Sequence, residues 1–157
     1  MIRKPCLSSY SVYKLKGKRI FVRADLNDLV NEKGELIGDV RISAALPTIG
    51  YLIGASAKVI LASHMGRPKD KEPKYSLCNI KKYLSKNTPF RVHFVPSWGE
   101  EIKDVLKLLK NGEVLLLENL RFHPGEKAND EKFAQFLASL ADLYVFEAFG
   151  TAHREHA

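Results

Sequence analysis

Arginine, histidine and short polar side chains recur within a few residues of one another in Arg23-Ala24-Asp25-Leu26-Asn27, His64-Met65-Gly66-Arg67, Asn119-Leu120-Arg121 and Gly150-Thr151-Ala152-His153-Arg154, with Arg41 standing between the first two. An arginine presents a planar fork of N–H donors that suits bidentate binding of phosphate or carboxylate. If a fold gathers these segments, they make a receptor for a small polyanion. The sequence has no G-x-x-x-x-G-K-[ST] phosphate loop and no G-x-G-x-x-G fingerprint, so no dedicated nucleotide site is indicated. Ser63 beside His64 is adjacency in sequence, which does not orient a nucleophile and a base.

The elements that must position these groups read as alternating strands and helices. Apolar or β-branched runs at Arg19–Arg23, Lys58–Ala62, Arg91–Val95, Val114–Leu117 and Leu143–Phe146 predict strands. Between them, apolar residues recur at helical spacing. One set is Ile42, Ala45, Leu46, Ile49, Leu52 and Ile53, with Pro47 predicting a kink or a helix start nearby. Leu77, Ile80 and Leu84 follow a Ser76 cap. Ile102, Val105, Leu106 and Leu109 precede an Asn111-Gly112 C-cap. Phe133, Phe136, Leu137 and Leu140 follow a cap at Asn129 or Asp130. Residues 1–17 read as an irregular lead-in, and Asn31-Glu32-Lys33-Gly34 as a turn.

This alternation predicts an α/β fold, a parallel sheet in three layers with helices on both faces. Ligands of such sheets bind beyond the carboxyl ends of the strands. The polar segments above all fall just after a predicted strand, and Arg41 lies near the start of the first long helix. Cationic groups from distant segments should therefore meet at one rim.

Each residue also has a plainer reading. Arg23 alone ends a strand with its stem packed and its head in water. Asp25 and Asn27, taken singly, are turn formers that bond their own backbone. His64 before Gly66 fits an ordinary tight turn equally well. His93 and His123 read as structural, and His156 as part of a frayed end.

The composition suits one globular domain: 157 residues, 45% hydrophobic and 27% charged. No apolar run approaches the ~20 residues that span a bilayer. Met1–Cys6 has a basic flank without an apolar stretch after it, which does not support a secretory signal. Cys6 and Cys78 then read as free thiols of a reducing compartment. The net charge of +7 fits solvated lysines, a phosphorylated small molecule or nucleic acid, and charge alone does not separate them.

Four motifs carry a resemblance to phosphoglycerate kinases. Arg23–Asn27 resembles the family's R-x-D-x-N signature, and Ser63-His64-Met65-Gly66-Arg67-Pro68 its S-H-x-G-R-P loop. Leu115–Glu126 is similar to its L-L-E-N-[LV]-R-F-x-x-x-E segment, and Ala148–Arg154 to its A-F-[GS]-x-x-H-R. The likeness runs in order from about Leu15 to Ala157. It implies a Rossmann-like amino-terminal domain, incomplete over 1–157, with the carboxy-terminal nucleotide-binding domain absent.

The implied activity is glycolytic: a phosphoryl group passes between 1,3-bisphosphoglycerate and ADP, giving 3-phosphoglycerate and ATP, with Mg²⁺. By the same resemblance, His64, Arg67, Arg121 and Arg154 hold the 3-phosphate, and Asp25 and Asn27 the substrate hydroxyl. Arg41 lies near the carboxyl end and acts catalytically on the phosphoryl group in transit. No cofactor or metal site is expected in this chain, since ATP, ADP and Mg²⁺ belong to the second domain. The expected partner is the small-molecule substrate, not nucleic acid or membrane. A cytoplasmic, monomeric full-length enzyme is implied.

The chain departs from the family pattern at Asp28-Leu29, where Val-Pro is usual, and at Glu147, where Asp is common. Asp28 adds a negative charge beside an anion site. Loss of apolar cover beyond Ala157 is expected to favour association. The competing reading is a stand-alone anion-binding or regulatory module without catalysis.

Overall fold

The computed structural model describes residues 6–151. Five strands, β1 (Arg19–Ala24), β2 (Lys58–Ala62), β3 (Val92–Val95), β4 (Val114–Leu117) and β5 (Leu143–Glu147), form one sheet in the order β3-β4-β2-β1-β5. Every pairing is parallel, with Ile20 opposite Val59 and Leu143, and Val114 opposite Val59 and Val92. Among the described residues six α-helices accompany them: α1 (Val12–Leu15), α2 (Val40–Gly54), α3 (Cys78–Asn87), α4 (Glu100–Leu108), α5 (Pro124–Lys127) and α6 (Glu131–Ser139).

Side chains alternate across a strand, so one sequence supplies both faces of the sheet. Ile20, Val22, Ala24, Val59, Leu61, Val114 and Leu116 pack against Ile42, Ala45, Ile49 and Leu52 of α2 and Ile80 and Leu84 of α3. Phe21, Ile60, Ala62, Leu115 and Leu117 point the other way. They meet Ile102 and Leu106 of α4 and Phe133 and Leu137 of α6. Each such Leu or Ile, buried fully, contributes about 1.5–3 kcal/mol relative to exposure. The three-layer α/β expectation therefore holds, and no helix among the described residues is long and apolar enough to cross a membrane.

Several boundaries differ from the sequence reading. The lead-in is not wholly irregular, because α1 buries Leu15 against the first core layer. Helix α2 begins at Val40, not near Pro47, and runs on through the proline. Pro47 and Ser43 are both exposed, so water can serve the Ser43 carbonyl that Pro47 has no N–H to reach. Strand β3 starts at Val92, one residue after Arg91.

The capping expectations divide. Leu77, not Ser76, occupies the N-cap of α3, although the Ser76 hydroxyl accepts the Cys78 N–H at 3.1 Å. Helix α4 caps at Leu109, before Asn111-Gly112. Gly112 instead takes φ +80° in the turn beyond the helix, and its N–H reaches the Ala57 carbonyl at 2.8 Å. Asp130 does cap α6, accepting the Phe133 N–H at 2.7 Å.

The start of edge strand β5 is tied to β1 by Asp142. Its carboxylate accepts the Arg19 N–H at 2.8 Å and the Arg19 guanidinium at 2.9 Å. These bonds hold the Asp142 carboxyl below its ordinary range. The folded chain thus binds this proton less readily than the unfolded chain. The stabilisation is present above the ordinary carboxylate value near ~4 and is lost as pH falls through the depressed folded value. Asp142→Asn should lower stability to urea at pH 7, with the deficit closing below about pH 4. A deficit of equal size at both pH values would count against the pairing.

Candidate functional site

The loops after β2 and β4 leave the sheet on opposite sides, the first toward α3 and the second toward α5 and α6. Divergence of neighbouring loops opens a crevice at the carboxyl edge, the usual ligand position in this architecture. A cleft of about 500 Å³ lies there, lined by residues that include Asp25, Asn27, Arg41, His64, Arg67 and Arg121. Six of the seven residues expected to bind ligand thus share one cleft; the seventh, Arg154, lies outside the described residues, as does His153. A second, mostly apolar groove of about 420 Å³ runs between α6 and the β1–β5 edge, and the expected ligand groups are not part of its lining.

The β2 loop is fastened from several sides. Ser63 is fully buried, and its hydroxyl donates to the Ala24 carbonyl at 2.8 Å while accepting the Leu26 N–H at 3.0 Å. It joins the ends of β1 and β2 and is not a nucleophile in waiting. Asn119, also fully buried, accepts the Met65 N–H at 3.2 Å and donates to the Met65 carbonyl at 2.9 Å. Asn27 accepts the Gly66 N–H at 2.7 Å, and the Arg121 guanidinium donates to the Gly66 carbonyl. Gly66 itself adopts φ +61°, and a Cβ there would stand 2.3 Å from the Tyr75 ring. The position requires glycine on both counts.

The loop after β1 is organised by carboxylates. Asp25 accepts the Asn27 N–H at 3.1 Å through Oδ1 and the Arg41 guanidinium through Oδ2. The turn-forming reading of Asp25 is correct, and so is its place in the cleft. Asp28, whose charge is unfavourable beside an anion site, serves the start of α2. It accepts the Arg41 N–H at 3.1 Å and the Ile42 N–H at 3.0 Å. Asp39 occupies the N-cap position but turns its carboxylate to the Tyr83 hydroxyl. Asp28 therefore caps the helix from a distance, and a negative charge at a helix N-terminus is stabilising. Glu147, the other departure, accepts the Thr48 hydroxyl at 3.1 Å.

Arg23 corrects its plain reading. Its head is not in water but 7% exposed, donating to Glu126 Oε1 at 3.2 Å, with Glu126 fully buried. Burial lowers the Arg23 pKa, and the Glu126 charge opposes that shift. Removing one member of such a buried pair typically costs about 3–5 kcal/mol, because the other charge is stranded. His93 and His123 have local roles. The first bonds Glu113 at 2.9 Å, and the second accepts the Gly125 N–H at 3.1 Å and stacks on Phe133. Burial lowers the His123 pKa.

The cleft is thus rich in arginine, with its carboxylates largely engaged in holding main chain or Arg41. It is chemically suited to a small anion carrying phosphate and hydroxyl oxygens. Sequence reasoning missed Arg23–Glu126, the Asn119 clamp and the Asp28 cap. Asn119 was visible as a polar residue ending a buried strand. The partners of Arg23 and Asp28, distant in sequence, left no local signal.

Residues 11–157 match the family model for phosphoglycerate kinase. The chain is 51% identical over 158 aligned positions to the phosphoglycerate kinase of Aquifex aeolicus and 49% to the cytosolic phosphoglycerate kinase of Triticum aestivum. Each alignment covers 100% of this chain and 39% of the relative. Among solved structures, phosphoglycerate kinase from Coxiella burnetii matches with a TM-score of 0.82 at 35% identity, over 96% of this chain and 36% of that one. The Pyrococcus horikoshii enzyme matches with a TM-score of 0.80 at 32% identity, over 96% and 38% respectively. The chain therefore spans about two fifths of the length of the curated relatives it matches.

Asp28→Ala should destabilise the chain by about 0.5–2 kcal/mol, the usual range for a lost N-cap. Urea denaturation measures this, and a change below ~0.2 kcal/mol would show that the carboxylate does not cap α2.

Proposed function

The chain belongs to the phosphoglycerate kinase family, and from that premise we propose that its carboxyl-edge cleft is the phosphoglycerate site of the family's reaction. In that reaction a phosphoryl group passes between 1,3-bisphosphoglycerate and ADP, giving 3-phosphoglycerate and ATP. The observation that carries the reading is the convergence of Asp25, Asn27, Arg41, His64, Arg67 and Arg121 on one cleft. Its size is that of a small-molecule site.

In this reading Arg67 and Arg121 grip the 3-phosphate, with His64 donating a further hydrogen bond and Arg154 completing the set. Asp25 and Asn27 receive the hydroxyl. Arg41 is half-exposed and donates to Asp25 through one nitrogen, which leaves other N–H groups for the carboxyl end of the substrate. There it neutralises charge on the phosphoryl group as it moves. Phosphoryl transfer depends mainly on positioning and electrostatic stabilisation, which a fixed array of arginines supplies.

Among the described residues no three His, Cys, Asp or Glu side chains gather as a cation site. The role proposed for these 157 residues is to bind and orient phosphoglycerate, and alone they should not turn over. ATP formation from 1,3-bisphosphoglycerate and ADP by the purified chain would contradict this.

Titration with 3-phosphoglycerate, followed by amide NMR, tests the site. Saturable shifts should appear at Asn27, His64, Gly66, Arg67 and Arg121. Arg67→Ala, at an exposed position, should weaken binding about 10–100-fold, the equivalent of about one charge-assisted hydrogen bond. Lys86→Ala on α3 should leave affinity unchanged. Equal affinity for the wild type and Arg67→Ala would remove the assignment.

A further inference from the structure

In the proposed site His64 is one donor among several, but its ring has a constraint that the ligand does not impose. His64 is 3% exposed, and its Nδ1 lies 3.4 Å from Nη2 of Arg23. The same Nη2 lies 3.2 Å from Glu126 Oε1, so the guanidinium is fixed from its far side by a fully buried carboxylate. An arginine has five N–H donors and no acceptor. Nδ1 can meet it only through its lone pair. A proton on Nδ1 would set N–H against N–H and place a second cation beside a buried one.

We propose that Arg23 is a positioning residue that holds His64 as the neutral Nε2–H tautomer, so that the ring presents a donor, and not a lone pair, to an oxyanion in the cleft. The protonated nitrogen of a histidine is set by the hydrogen bond that the other nitrogen makes. Here that bond comes from the opposite face of the sheet. Arg23 shares the side of β1 on which Phe21 packs, so its guanidinium reaches His64 from the α6 layer and not from the ligand side. The positive charge of the cleft is then supplied by Arg41, Arg67 and Arg121, while His64 contributes direction. Only the identity of the anion rests on the phosphoglycerate reading. The tautomer is a property of the ligand-free chain.

Long-range ¹H–¹⁵N spectra of the ¹⁵N-labelled chain at pH 7, without ligand, read it directly, with His64→Gln assigning the resonances. The expected result is protonated Nε2 and unprotonated Nδ1. A wild-type His64 found as the Nδ1–H tautomer or as imidazolium overturns the proposal. Arg23→Lys keeps a donor and should keep the tautomer. Arg23→Met combined with Glu126→Gln removes both charges of this pair together, and should raise the Nδ1–H population several-fold and weaken inorganic phosphate binding. A folded double variant with an unchanged tautomer also overturns it. If the double variant does not fold, the wild-type spectrum decides. Should the tautomer be as stated while 3-phosphoglycerate causes no shifts, the site reading fails and this inference stands.

Discussion

The main chain at Met65-Gly66 is held by side chains from two other loops, and the candidate site is built on that hold. Asn119 pairs with both the N–H and the carbonyl of Met65, Asn27 takes the Gly66 N–H, and Arg121 takes its carbonyl. Backbone polar groups in a glycine loop at the end of a buried strand have no ladder to join, and leaving them unpaired would be costly. The carboxamides that satisfy them also set the distance between the loops after β1, β2 and β4. Asn27 and Arg121 are therefore cleft-lining groups and structural fasteners at once, because the loop must be fixed before Arg67 and His64 have a defined direction.

The electrostatics follow the same economy. Asp25, Asp28 and Glu126 all lie near the proposed anion site, yet each carboxylate is engaged. Asp25 is bonded to Arg41, Asp28 to the first N–H groups of α2, and Glu126 to buried Arg23. A bare carboxylate there would repel an anion. Bound in these ways, the carboxylates orient cations and cap a helix. Asp28 shows how one family position tolerates a charge in place of a stiff Val-Pro pair: the helix start supplies the compensating partial positive charge.

Much of this was legible in the sequence. Continuous apolar runs such as Val114–Leu117 and Lys58–Ala62 announced strands covered on both faces, and the helical period located α2, α3, α4 and α6 to within a few residues. The polar residues standing just after the strands, together with Arg41 at the start of α2, were enough to place six side chains in one cleft. Interactions with large sequence separation escaped. Arg23 and Glu126 are 103 residues apart, and no local pattern links them. The Asn111-Gly112 pair looked like a helix stop, but its conformation answers to a turn whose hydrogen bond goes to Ala57, in the distant turn that precedes β2. Tertiary partners overrode local propensity at each of these points.

Helix α2 is 15 residues long, a rod of about 22 Å at 1.5 Å per residue. Its amino end is tied to the loop after β1 by Asp28, and its carboxyl end runs into the Ala55-Ser56-Ala57 turn that starts β2. As long as the carboxylate bonds persist, any shift of that loop must carry the first turn of the rod with it. Motion at the cleft is thereby geared to the opposite rim of the sheet.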